Sequence, residues 1–84
     1  MRESLRAMPP RLPGDRELGR AVRRLREERG LTQEELASRA GTTFGTVSRV
    51  ESAKSAPAWW TVRKIAEALG VSIAELAAAS EAER

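Results

Sequence analysis

Apolar residues recur along the chain at helical spacing, in blocks separated by glycine or proline. Leu18, Val22 and Leu25, with Ala21 beside them, form the inward stripe of a first helix. Asp15 is placed to cap it, Glu17 lies in its first turn, and Arg29 and Gly30 mark its end. Thr32 opens a second block. Thr32 and Glu35 have capping-box spacing, and Leu31 and Leu36 occupy the two staple positions around them. Leu36, Ala37 and Ala40 then face inward until Gly41 ends the helix. Thr43 caps a third helix that extends to about residue 52, with Val47 and Val50 inward. Gly45 costs that helix about 1 kcal/mol relative to alanine, so either something approaches closely there or the loss is tolerated. Residues 53–57 read as a loop. A fourth helix follows over residues 59–69, with Val62, Ile65, Ala66 and Leu69 inward and Gly70 as its stop. Ser72 with Glu75, and Val71 with Leu76, repeat the earlier start signal and predict a fifth helix from residue 73 to about residue 80. No strand-type alternation occurs. The pattern predicts an all-α chain of five helices.

Length and composition narrow the chemistry. The chain has 84 residues, room for one small domain over residues 15–80, whose stability is modest unless it dimerises. Residues 1–14 hold Pro9, Pro10, Pro13 and Gly14 and read as a flexible arm that carries Arg2, Arg6 and Arg11. Residues 81–84 read as a frayed end. The chain lacks cysteine, histidine and tyrosine. That removes disulfides, thiolate metal sites, the commonest general base and the commonest neutral metal ligand. No catalytic acid–base pair, metal cluster or phosphate-cradling loop stands out. The expectation is a protein that is not an enzyme and has no cofactor, no metal and no small-molecule ligand. The first residues do not read as a signal peptide, and no segment approaches the ~20 apolar residues of a membrane span. A cytoplasmic protein with no membrane partner is expected. The net charge of +3 is unevenly spread. Arg16, Arg20, Arg23, Arg24, Arg26 and Arg29 crowd the first helix, whereas Glu75, Glu81 and Glu83 dominate the C-terminal part. Such a surface suits a polyanion, or is simply a solvated arginine-rich helix.

The second and third helices form the functional constellation. Residues 33–40, 41–43 and 44–52 make helix, short turn, helix, which forces two helices into close contact at a steep angle. Ala37 is small enough for the crossing, and Gly41 accepts the positive φ of the reversal. The outer face of the third helix then holds Phe44, Gly45, Ser48 and Arg49, with Thr46 at its margin. This layout presents a helix to the DNA major groove.

With those residues in view, residues 18–76 resemble the lambda repressor and Cro type of helix-turn-helix domain, also called the xenobiotic-response-element family. The stretches LGRAVRRLREERGLTQEELASRAGTTFGTVSRVE and TVRKIAEALGVSIAEL carry the resemblance, in family order and spacing. It implies a five-helix bundle that binds double-stranded DNA as a homodimeric transcription regulator, with the third helix reading bases. Carried over by position, Gln33 is implied to touch a backbone phosphate, while Thr32 is more simply a cap. Thr43, Phe44, Gly45, Thr46, Ser48 and Arg49 are implied to read bases or line the groove. The fork of Arg49 suits guanine O6 and N7, the alternative being a phosphate contact or a surface ion pair. Lys54 and Ser55 match a loop that touches phosphate. Arg26 and Glu51 match a structural ion pair between the first and third helices.

Three positions depart from the family pattern. Phe44 replaces a polar reader and either meets a thymine methyl or packs on its own fold. Gly45 has no side chain to read with. Ala53 stands where glycine is usual, so a different loop path is expected. Trp59 and Trp60, following Pro57, read chiefly as core or cover residues, the alternative being an exposed DNA or subunit contact. The fifth helix, at Ile73 and Ala77, is the candidate dimer interface. A protein-binding module of the same fold, such as an antitoxin or adaptor, is the alternative function.

Overall fold

The computed structural model describes residues 15–84, and the N-terminal arm expected over residues 1–14 lies outside them. Among the described residues the helices are α1 (Arg16–Glu28), α2 (Gln33–Ala40), α3 (Phe44–Glu51), α4 (Trp59–Leu69) and α5 (Ile73–Ala82). Side-chain oxygens start four of them. Asp15, Thr32, Thr43 and Ser72 each accept from the backbone N–H three residues on. The boxes at Thr32 and Ser72 are complete, since Glu35 and Glu75 accept in return from the cap N–H groups at 2.8 and 2.7 Å. Those N–H bonds, then the cap hydroxyls, hold both carboxyls below the ordinary glutamate value. Their contribution to stability is present above that value and lost as pH falls through the lowered one. Of the five described helices only α4 lacks a side-chain cap.

Helix ends share one geometry. After α1, α2, α3 and α4 the chain turns back through a left-handed residue with paired bonds to the last turn, the Schellman arrangement. Glycine fills that position after α2, where Gly41 has φ 66°. After α3 it is Ala53, at φ 58°, the one non-glycine residue with positive φ among those described. Its N–H donates to Val50 O and that of Lys54 to Arg49 O. The different loop path expected from Ala53 is therefore not observed. Alanine adopts the left-handed step itself and bears the clash of its Cβ.

The core collects the inward stripes: Ala21, Val22, Leu25, Leu36, Ala37, Ala40, Val47, Val50, Ile65, Ala66, Leu69 and Leu76. α1 packs most extensively on α5 and also on α3, while α2 packs on both α3 and α4. Two details of α4 differ from expectation. Thr61 is buried, and Val62 is only half-buried. Trp59 and Trp60 are exposed, at 62% and 58%, and neither is a core or cover residue. The reason is rotational: at 100° per residue Trp60 falls opposite Ile65 and Leu69, and Trp59 lies at the margin of the stripe in the first turn. Lys64 Nζ instead sits 5.1 Å from the Trp60 ring centre. The C-terminus also departs from the frayed end expected. α5 continues to Ala82, and Glu83 accepts from Arg24 Nε at 2.8 Å.

Two contacts set α3 against α1. Gly19 is buried, and a Cβ there would lie 2.6 Å from Val50 O and 2.7 Å from Glu51 O. Arg26 donates to both oxygens of Glu51, at 2.7 and 3.0 Å, and its remaining terminal nitrogen donates to Leu31 O at 2.8 Å. The pair is almost enclosed, with side chains 11% and 5% exposed. The Glu51 hydrogen bonds outweigh burial and raise the Arg26 pKa.

Three stability changes follow, each readable by urea denaturation. Gly19→Ala puts carbon against backbone oxygen and is expected to cost about 1–3 kcal/mol. Ala53→Gly relieves the left-handed strain and is expected to add about 0.5–1 kcal/mol, the relief being partly offset by unfolded-state entropy. Glu51→Ala strands a buried guanidinium and is expected to cost about 3–5 kcal/mol. An unchanged midpoint in any of the three would contradict the corresponding contact.

Candidate nucleic-acid interface

The turn at residues 41–43 brings α2 and α3 together and leaves one side of α3 open. Val47 and Val50 point into the core, so by helical rotation Gly45, Ser48, Arg49 and Ser52 share the opposite face. Phe44 and Thr46 lie on its two margins. Thr43 is exposed and caps the helix, and its hydroxyl is 3.0 Å from that of Thr46. Two of the expected readers are thereby committed to each other in the free protein. Phe44 is 48% exposed and does not pack into its own fold.

Arg49 is exposed, and its guanidinium has no hydrogen-bond or ion-pair partner among the described residues. It folds back along the helix over Gly45, where Nη1 lies 3.2 Å from the position a Cβ would take. This is the close approach that Gly45 allows. A long helical side chain leans toward the N-terminus, so residue 49 covers the turn that begins at residue 45. A side chain at Gly45 would compete for that space.

Gln33 begins α2 and is half-buried. Its amide donates to Glu51 Oε1 at 2.9 Å. The residue expected at a phosphate therefore joins the Arg26–Glu51 pair, with one amide hydrogen still free. The backbone N–H groups of the first α2 turn add a partial positive charge beside it. Lys54 is exposed and Ser55 half-buried in the loop after α3, past the left-handed step at Ala53. At the candidate dimer interface Ala77 is exposed, whereas Ile73 packs against the protein's own core.

Sequence reasoning missed Ser52, taken only as the end of the third helix. Its hydroxyl donates to Ser48 O at 2.8 Å, and it extends the open face by one turn. The spacing of residues 45, 48, 49 and 52 was the available signal. Gly19 was missed because nothing near it in the chain marks a contact with residues more than thirty positions away. No group of three acidic, cysteine or histidine side chains among the described residues is placed to hold a metal ion. No described helix is long and apolar enough to cross a membrane.

A family model described as a helix-turn-helix domain matches residues 17–79. The HTH-type transcriptional regulator y4dJ of Sinorhizobium fredii is 42% identical over 59 residues, covering 70% of this chain and 77% of that protein. The cryptic phage CTXphi transcriptional repressor RstR of Vibrio cholerae is 43% identical over 60 residues, covering 71% of this chain and 54% of RstR. Among solved structures, the biofilm master regulator SinR in complex with DNA aligns with a TM-score of 0.66 at 28% identity, covering 71% of this chain and 97% of that one. The five-helix arrangement, the open face of α3 and these likenesses agree, and the chain belongs to the helix-turn-helix family of DNA-binding transcription regulators, of the lambda-repressor type.

Proposed function

We propose that this domain binds double-stranded DNA sequence-specifically as a homodimeric transcriptional repressor, with α3 in the major groove. One observation carries the reading: Arg49 holds an uncommitted guanidinium on the open face of a helix that Glu51 fixes to two neighbours. An arginine fork that donates to guanine O6 and N7 is the commonest specific contact in that groove. Ser48, Thr46 and Thr43 supply further hydroxyls beside it, and Phe44 an apolar surface for a thymine methyl. Gln33, Lys54 and Ser55 contact phosphate and set register. The repressor RstR and the DNA-bound structural relative support the same reading.

Homodimer formation follows from the size of the reader. An α3 of eight residues touches few bases, so useful specificity needs two half-sites related by a dyad. Ala74, Ala77 and Ala78 form the exposed side of α5 where a second copy would approach, while Ile73 supports that surface from beneath. As a reader of DNA the domain works in the cytoplasm, and by binding rather than catalysis. A second reading, a protein-binding module such as an antitoxin or adaptor, is favoured by the exposed Trp59 and Trp60.

The test begins with a duplex enriched by the protein from a random pool. Fluorescence anisotropy is expected to show binding about 10³-fold or more tighter than to a scrambled duplex. Arg49→Ala is expected to remove about 1–3 kcal/mol of that preference while leaving scrambled binding nearly unchanged. Gly45→Ala displaces the guanidinium and should reproduce part of the loss. Gln33→Ala should weaken both duplexes alike. Sedimentation of the complex should return two chains per duplex. Failure to enrich any sequence, with weak and uniform binding, would favour the protein-binding reading.

A further inference from the structure

The structure divides the arginines of α1. Arg23 donates to Glu27, Arg24 to Glu28 and Glu83, and Arg26 to Glu51 and Leu31 O. Arg29, which caps the helix, donates to the end of α4 at Leu69 O. Arg16 and Arg20 alone in this group have no acceptor and no ion-pair partner among the described residues. They are exposed, four positions apart, and therefore neighbours on one face. Like charges at that spacing disfavour a helix, so the pair is a liability in the free protein that a bound anion would relieve.

Their surroundings suit an anion. Arg16 and Arg20 line an open, polar hollow of about 330 Å³ with Glu51, Ser52 and Ala53. Glu51 does not oppose an incoming anion as a free carboxylate would. Both of its oxygens are held by Arg26 and Gln33, and its side chain is 5% exposed. The Ala53 N–H is used within its own turn. Asp15 accepts the Leu18 N–H in its capping role. The guanidinium groups are thus the uncommitted charged donors at the hollow.

Position supplies the identity of the anion, on the reading that α3 lies in the major groove. Eight residues at 1.5 Å rise make α3 about 12 Å long, comparable to the width of that groove. With the first turn at the base edges, the last turn and the loop beyond it stand at the groove wall, where the phosphates run. The hollow is at that end of α3, because Gly19 presses α1 against Val50 O and Glu51 O. We propose that Arg16 and Arg20 together grip a backbone phosphate of the DNA at the edge of the half-site. Arginine forks suit phosphate oxygens, and such a contact positions the domain without reading sequence.

The test uses the full chain, the enriched duplex and the scrambled one, with Arg16→Gln, Arg20→Gln and the double variant. Both side chains are exposed and their mutual repulsion is small, so a thermal melt that is unchanged or slightly raised is expected. The double variant is expected to lose about five- to tenfold in affinity for both duplexes near 0.15 M salt, and to flatten the dependence of log K on log salt by about 0.9. Arg23→Gln, which loses only its bond to Glu27, should change neither quantity. An unchanged affinity and salt slope in the double variant would overturn the proposal. So would a loss confined to the enriched duplex, which would mean that these arginines act in sequence reading. If the wild-type chain bound neither duplex, the groove reading of α3 would fall before any substitution was made.

Discussion

The carboxylate of Glu51 is the point at which three helices are joined. It lies at the end of α3, takes two hydrogen bonds from Arg26 of α1 and one from Gln33 of α2, and is nearly sealed from water. Replacing such a pair with apolar residues of similar volume is often neutral or stabilising, so its worth is geometric. Three donors converging on two oxygens admit one arrangement of α1, α2 and α3. Gly19 adds a second constraint at the same place, since its missing Cβ lets α1 rest on the last carbonyls of α3. The reading helix is therefore anchored at its C-terminal end by polar contacts and close packing. At its N-terminal end it is set by the turn at Gly41 and the cap at Thr43.

That anchoring absorbs residues that composition alone would assign to DNA. The formal charge of +3 and the arginine-rich first helix suggest a broad cationic face. Half of those six guanidinium groups instead close the fold. Arg24 ties α1 to the end of α5, Arg26 ties it to α3, and Arg29 satisfies a carbonyl at the end of α4. Four of the uncommitted cations lie near α3, Arg49 and Lys54 on and after it and Arg16 and Arg20 beside its end, while Arg39 on α2 and Arg63 on α4 are also without a partner among the described residues. Phosphate contacts made from the positions beside α3 would set orientation without reading sequence, which is the regime in which a second half-site matters.

Strain and economy appear in the same short region. Ala53 holds a left-handed turn that elsewhere among the described residues is made by glycine, and it leads directly into Lys54 and Ser55. Gly45 gives up helix propensity in α3, and the Arg49 guanidinium lies closely over its bare backbone, with Nη1 3.2 Å from where a Cβ would stand. In both places local backbone preference is subordinate to where a neighbouring side chain must stand.

The features that the sequence by itself determined are those decided within a turn or two of chain. Caps at Asp15, Thr32, Thr43 and Ser72, glycine stops at Gly41 and Gly70, and stripes such as Leu36, Ala37 and Ala40 depend on neighbours three or four residues away. From them the helices and the open face of α3 could be read directly. The Arg26–Glu51 pair was legible only through family resemblance, because no local spacing relates residues 26 and 51. Tertiary structure alone decided that Gln33 would join that pair, that Gly19 would meet the end of α3 and that Glu83 would be held by Arg24. It also decided which arginines of α1 would find acceptors, and that Trp59 and Trp60 would remain in solvent. Helical periodicity specifies which way a side chain points along its own helix. What it meets there depends on the crossing of another helix, and that is a property of the packed molecule.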